Sequence, residues 1–148
     1  MAEKPRITIT NKRAGFEYHI VQKYVAGIIL TGTEIKALRQ GHANINEAFC
    51  LIKDGEIFIK GMHISIWKQG SYYNHEPLRT RKLLLNKSEI RKLKIKALEK
   101  GFTVIPLSVF FSDTGYAKVE IAVAKGKRNF DKREDIKKKD IARQLARK

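Results

Sequence analysis

The sequence predicts a mainly β (α+β) fold, a small closed or partly open barrel followed by a basic C-terminal tail. Three observations predict it. Five or six short runs rich in branched and aromatic residues are separated by turns containing Gly, Asn and Asp. Only two short stretches of the body carry helical spacing. Residues 125–148 hold 11 Lys/Arg against 4 Asp/Glu, a net +7, whereas the first 124 residues carry the other +9 of the chain's +16. Charge density thus rises about fourfold at that boundary, which divides the chain into a body, 1–124, and a tail, 125–148.

Residues 1–13 are short, polar at the edges and basic (Lys4, Arg6, Lys12, Arg13), and no element is assigned to them. From Phe16, alternation of Phe16, Tyr18 and Ile20 with Glu17, His19 and Val21 predicts a strand, and the apolar run 26–30 a second. "TGTEIKALRQG" predicts a short helix with Ile35 and Leu38 on one side and Gly41 as its stop. "AFCLIKDGEIFIKGMHI" predicts a β-hairpin, because Asp54-Gly55 is a strong turn signal between two β-rich runs. "KQGSYYNHEPLRTRK" reads as a long connection. In "LLLNKSEIRKLKIKALEKG" the Asn86/Glu89 capping-box spacing, the Ile90/Leu93/Ala97 repeat and Gly101 predict a helix. "FTVIPLSVFFSDTGYAKVEIAVAKG" predicts a second hairpin, turning at residues 113–115 and alternating from Tyr116. The sequence shows no internal repeat.

Length and composition, 148 residues and 43% hydrophobic, suit one domain with a real core. The charge points to partners. With 31 Lys/Arg against 15 Asp/Glu, the chain gains counterion-release entropy on a phosphate polymer. Nucleic acid is the expected partner and an anionic membrane surface a distant second. No apolar run approaches the length of a membrane span. Cys50, the single cysteine, lies among Ala48, Phe49, Leu51 and Ile52 and reads as a core residue. One cysteine and no signal-peptide pattern fit a reducing cytoplasm.

No catalytic constellation emerges. His19, His42, His63 and His75 are scattered without metal-ligand spacing, and His63 reads as a strand residue with a satisfied ring. Ser65 and Lys68 form a Ser-x-x-Lys pattern without companion motifs. Phosphate-binding glycine loops are missing. The expectation is a non-enzyme with no metal and no cofactor. Basic residues interleaved with stacking groups carry more information. "LRTRK" sets Arg79, Arg81 and Lys82 beside residues 83–85, either as a solvated edge or as a phosphate-contacting rim held by the core. Tyr72 and Tyr73, just before it, either stack on bases or cover the core.

In the tail, Asp131 and Glu134 have capping-box spacing, and acidic residues lead while Arg143, Arg147 and Lys148 close a helix over about 132–147. Its apolar side is thin, since Ile141 and Leu145 are neighbours while Ile136 falls elsewhere. Such a helix is marginal alone and folds on binding. A permanently disordered solubilising tail is the competing reading, but it needs neither a cap nor Phe130, an aromatic placed to stack on a base for about 1–3 kcal/mol.

Six segments in order, "NKRA", "AGIILTGTEIKALRQGHANI", "DGEIFIKGMHI", "NHEPLRTRKLLLNKSEI", "EKGFTVIPLSVFF" and "AKGKRNFDKRED", resemble the bacterial tmRNA-binding protein family, small protein B or SsrA-binding protein. The resemblance runs from Asn11 into the tail. It implies an oligonucleotide-binding (OB-like) barrel of about six strands with two or three flanking helices, and a tail disordered when free and helical on the ribosome. It implies a monomeric adaptor of trans-translation whose barrel grips the tRNA-like domain of tmRNA. The tail then enters the small subunit's decoding centre and empty mRNA channel, against 16S rRNA. By position, Asn11, Lys12, Arg13, Ala26, Gly27, Arg79, Arg81, Lys82 and Leu84 fall to tmRNA, with Leu84 supporting the surface from behind. Gly126, Lys127, Arg128, Phe130, Asp131, Lys132, Arg133, Lys137, Lys138 and Lys139 fall to the ribosome. Two positions depart from the family pattern: Val25 stands where a glutamate is usual, and Phe130 where His or Tyr is. The alternative is a general OB-fold RNA-binding or ribosome-assembly factor with a non-specific tail.

Overall fold

The computed structural model describes residues 6–67 and 74–127. In chain order the elements are β1 (Arg6–Thr10), α1 (Ala14–Glu17), β2 (Tyr18–Ile28), α2 (Gly32–Arg39), β3 (Ala43–Asn44), β4 (Phe49–Lys53), β5 (Glu56–Lys60), β6 (His63–Ile64), β7 (Arg81–Leu84), α3 (Lys87–Ala97), β8 (Phe102–Phe111) and β9 (Ala117–Gly126). Six strands pair in a ring, β8-β4-β5-β7-β2-β9 and back to β8, while β1 adds to an edge of β8 and β3 pairs separately with β6. The ring is the small barrel expected.

Local chemistry explains most of it. Asp54 and Gly55 both take positive φ, 52° and 75°, the backbone a two-residue hairpin turn requires. The β4–β5 register follows, and Cys50, Ile57 and Ile59 face inward. Strands β2 and β9 pair along nearly their whole length with Val21 as an extra residue, and β8 and β9 pair with Leu107 as another. Such bulges let long strands bend around a small ring. Inside lie Leu38, Ile45, Ile57, Ile59, Met62, Ile64, Leu83, Leu93, Val109 and Ile121, all fully enclosed, each contributing about 1.5–3 kcal/mol through burial. Ala14, Ile105 and Ala124 form a smaller cluster with Tyr18 and Ile20.

Several expectations need correction. The two strands proposed over residues 16–30 are one, because α1 takes Phe16 and Glu17 and β2 then runs unbroken to Ile28. The N-terminal segment is not elementless: β1 pairs with β8. Helix α3 forms, but Asn86 makes no side-chain cap bond. The capping box stands instead on α2, where the Thr31 hydroxyl accepts from the Glu34 amide and the Glu34 carboxylate accepts from the Thr31 amide. His63 is exposed; the satisfied ring belongs to His75, whose Nε2 donates to the Ile64 carbonyl and whose Nδ1 faces the Thr33 hydroxyl, each at 2.9 Å. Strand β9 continues to Gly126, so Lys125 and Gly126 belong to the sheet rather than the tail. Tyr72, Tyr73 and the expected tail helix lie outside the described residues.

Candidate nucleic-acid interface

The ring has two thin seams, and the residues expected to contact tmRNA gather at both. Strand β7 meets β2 only through Gly27 opposite Leu84 and Ile28 opposite Leu83, extended by an Ile29 amide bond to the Lys82 carbonyl at 3.0 Å. Strand β8 meets β4 only through Val104 opposite Cys50. In the six-strand order these seams stand opposite one another.

At the β2–β7 seam Ala26 points into the core and Gly27 points out. A Cβ on Gly27 would sit 3.4 Å from the Leu84 Cβ, so the bare glycine leaves the Leu84 side chain open to approach. Leu84 is 51% exposed, which corrects the expectation that it supports the surface from behind. Val25 is equally exposed, on the same outward face, directly across from Glu120 of β9. Ile29 is exposed as well. Lys82, beside Leu84 on β7, pairs with Glu56 at 2.9 Å on the open surface, where the pair adds little stability. The seam therefore presents an exposed apolar patch edged by lysine, a surface that can hold a sugar or base while contacting phosphate.

Arg79 and Arg81 part company. Arg81 has no exposed side chain: Nε donates to Glu34 Oε2, Nη1 to the Met62 carbonyl at 2.7 Å and Nη2 to the Pro77 carbonyl at 3.2 Å. It is neither a solvated edge nor a rim contact, because every guanidinium nitrogen is already engaged inside. Arg79 keeps 37% of its side chain exposed while its Nη2 donates to Glu34 Oε1 at 2.6 Å and to the Ile29 carbonyl at 3.3 Å. Glu34 itself is enclosed. Burial alone would raise its pKa, but the bonds from Arg79, the Thr31 amide and Arg81 together outweigh that and hold the carboxyl below its ordinary value. The sequence reading missed Glu34. Its signal was present in the Thr31-x-x-Glu34 spacing.

At the β8–β4 seam, Asn11 is buried and structural. Its Nδ2 donates to the Pro106 carbonyl and its amide to the Leu107 carbonyl, both at 2.8 Å, while its Oδ1 accepts from the amides of Arg13 and Ala14. It thereby fills the edge of β8 between the ends of β1 and β4 and starts the turn of α1. Lys12 and Arg13 are exposed beside it; the Lys12 amide donates to Asn46 Oδ1 at 2.9 Å and Arg13 pairs with Glu47 at 3.2 Å.

Of the tail residues, Gly126 and Lys127 are described and belong to the body. Gly126 pairs with Tyr18, and Lys127 donates to α1 twice, from its amide to the Glu17 carbonyl and from Nζ to the Gly15 carbonyl, each at 2.8 Å. Arg128, Phe130, Asp131, Lys132, Arg133, Lys137, Lys138 and Lys139 lie outside the described residues. Among the described residues no group of three His, Cys, Asp or Glu could hold a metal, and no helix is long and apolar enough to cross a membrane.

Comparison with known proteins decides the family. The model of the SmpB protein family matches residues 8–148. The chain belongs to the SmpB family. The SsrA-binding protein of Cytophaga hutchinsonii is 54% identical over 141 residues, covering 95% of this chain and 92% of that one. That of Moorella thermoacetica is 48% identical, covering 99% and 95%. A solved chain described as "tmRNA-SmpB: a journey to the center of the bacterial ribosome" superposes with a TM-score of 0.71 at 42% identity, covering 86% of this chain and 93% of that one. The SmpB family is one of RNA-binding adaptors rather than enzymes.

Proposed function

We propose that this chain is the tmRNA-binding adaptor of trans-translation, bringing tmRNA to stalled ribosomes for rescue and tagging of the nascent chain. The observation that carries the reading is the near full-length match to SsrA-binding proteins together with the tmRNA-SmpB structural neighbour. The geometry supports the finer assignment of roles. The patch of Gly27, Leu84, Lys82 and half-exposed Arg79 is the grip on tmRNA, and Asn11 sets up the second patch, Lys12 and Arg13, at the opposite seam. Ala26 and Arg81 serve from inside. Lys127 roots the tail on α1, and the residues beyond it reach the small subunit and its 16S rRNA. The work is that of the cytoplasm, where ribosomes stall.

The test has two arms. The full chain should bind tmRNA in preference to a length-matched structured RNA at fixed moderate salt. It should also restore tagging to ribosomes stalled on a message lacking a stop codon. Equal affinity for both RNAs, or no tagging, favours the general RNA-binding factor instead.

A further inference from the structure

We infer that Glu34 is a positioning residue of the RNA interface, acting through Arg79. This rests on the adaptor reading above. One enclosed carboxylate gathers its own helix cap from Thr31, the fully buried Arg81 and the half-exposed Arg79. The sum of one anion and two cations is a net positive charge. Arg81 cannot deliver it outward, because its donors go to Glu34, Met62 and Pro77. The surplus reaches solvent through Arg79 alone of the three.

Stability does not explain such an arrangement. A buried ion pair is on balance no better than apolar residues of the same volume, and Arg79 Nε is left buried with no partner among the described residues, a further cost. What the arrangement does achieve is a fixed guanidinium. Glu34 Oε1 and the Ile29 carbonyl hold the same Nη2. A long, flexible side chain is thereby ordered before RNA arrives, so its rotamer entropy is already lost and binding is spared it. Its place is also specific. Ile29 follows Gly27 by two residues, and its amide bonds Lys82, so Arg79 stands at the end of the Gly27–Leu84 pairing and its apolar patch. A phosphate held there sets the register of whatever lies on the patch.

The test compares wild type, Glu34→Gln, Arg79→Ala and the double variant, using a transcript of the tmRNA tRNA-like domain across a salt series, with folding checked by circular dichroism. Glu34→Gln should weaken binding about tenfold and lower the salt slope by about one phosphate contact. The double variant should bind no worse than Arg79→Ala. Should Glu34→Gln not fold, Glu34→Met with Arg81→Met removes both buried charges together and is expected to show the same loss and slope. Wild-type affinity and slope in the folded variant, or losses that multiply in the double variant, would overturn the inference alone. Failure of wild type itself to prefer this RNA overturns the adaptor reading.

Discussion

Replacing Gly27 with alanine separates stability from RNA binding, because the structure makes the two move in opposite directions. Gly27 is not among the residues with positive φ, so alanine adopts its backbone without strain. The new Cβ would lie 3.4 Å from Leu84 Cβ and 3.6 Å from Leu84 Cδ1, ordinary van der Waals contact. Folding should therefore gain about 0.4–1 kcal/mol from the reduced freedom of the unfolded chain, a rise of about one to five degrees in Tm. The methyl also fills the gap over Leu84 that an approaching nucleotide would use. A displaced contact at a fixed interface should cost about tenfold in affinity, or about 1.4 kcal/mol. Differential scanning calorimetry and a filter-binding titration with tmRNA read the two effects on one preparation. A variant that melts higher and binds tmRNA as well as wild type would refute the claim that RNA approaches at Gly27.

Other expectations follow from single contacts. Asn11→Ala loses the Pro106 bond and strips the Arg13 and Ala14 amides of their acceptor, so urea unfolding should show a loss of about 2–3 kcal/mol; a loss under about 0.5 kcal/mol contradicts the edge-filling role. Burial pushes the Cys50 thiol well up, so a thiol reagent at neutral pH should label it only on unfolding, and rapid labelling of the native protein would place it outside the core. Glu34 has a folded pKa below its unfolded value. Its stabilisation is thus complete above the unfolded value and is lost as pH falls through the folded one. The Tm gap between wild type and Glu34→Gln should be wide at neutral pH and close in acid; a gap that is constant with pH denies the buried charge.

Patterns that act through near neighbours were legible in the sequence. Asp54-Gly55 gave the β4–β5 hairpin, residues 113–115 the β8–β9 turn, and the apolar neighbours of Cys50 its burial. What could not be read was tertiary. Strand β1 is held by the edge of β8 and by Ile9 against the core, and Asn86 looks like a cap until α3 forms without its side chain. In the candidate site, charge in "LRTRK" drew attention to the segment but did not say which arginine faces inward. That choice depends on Glu34, 47 residues before Arg81, and on a strand whose alternation turns Arg81 in and Lys82 and Leu84 out. Leu84 was misplaced for the same reason, since an apolar residue beside a core looks buried until its register is known.

The protein divides its labour in this proposal, with a barrel that grips tmRNA and a tail that acts on the ribosome. Because Gly126 and Lys127 belong to the body, the decisive measurement truncates the chain after Lys127. It compares tmRNA affinity with tagging on stalled ribosomes. Most of the tmRNA affinity should survive at moderate salt while tagging disappears. Parallel loss of both, or tagging restored by a tail of the same composition in scrambled order, would contradict it.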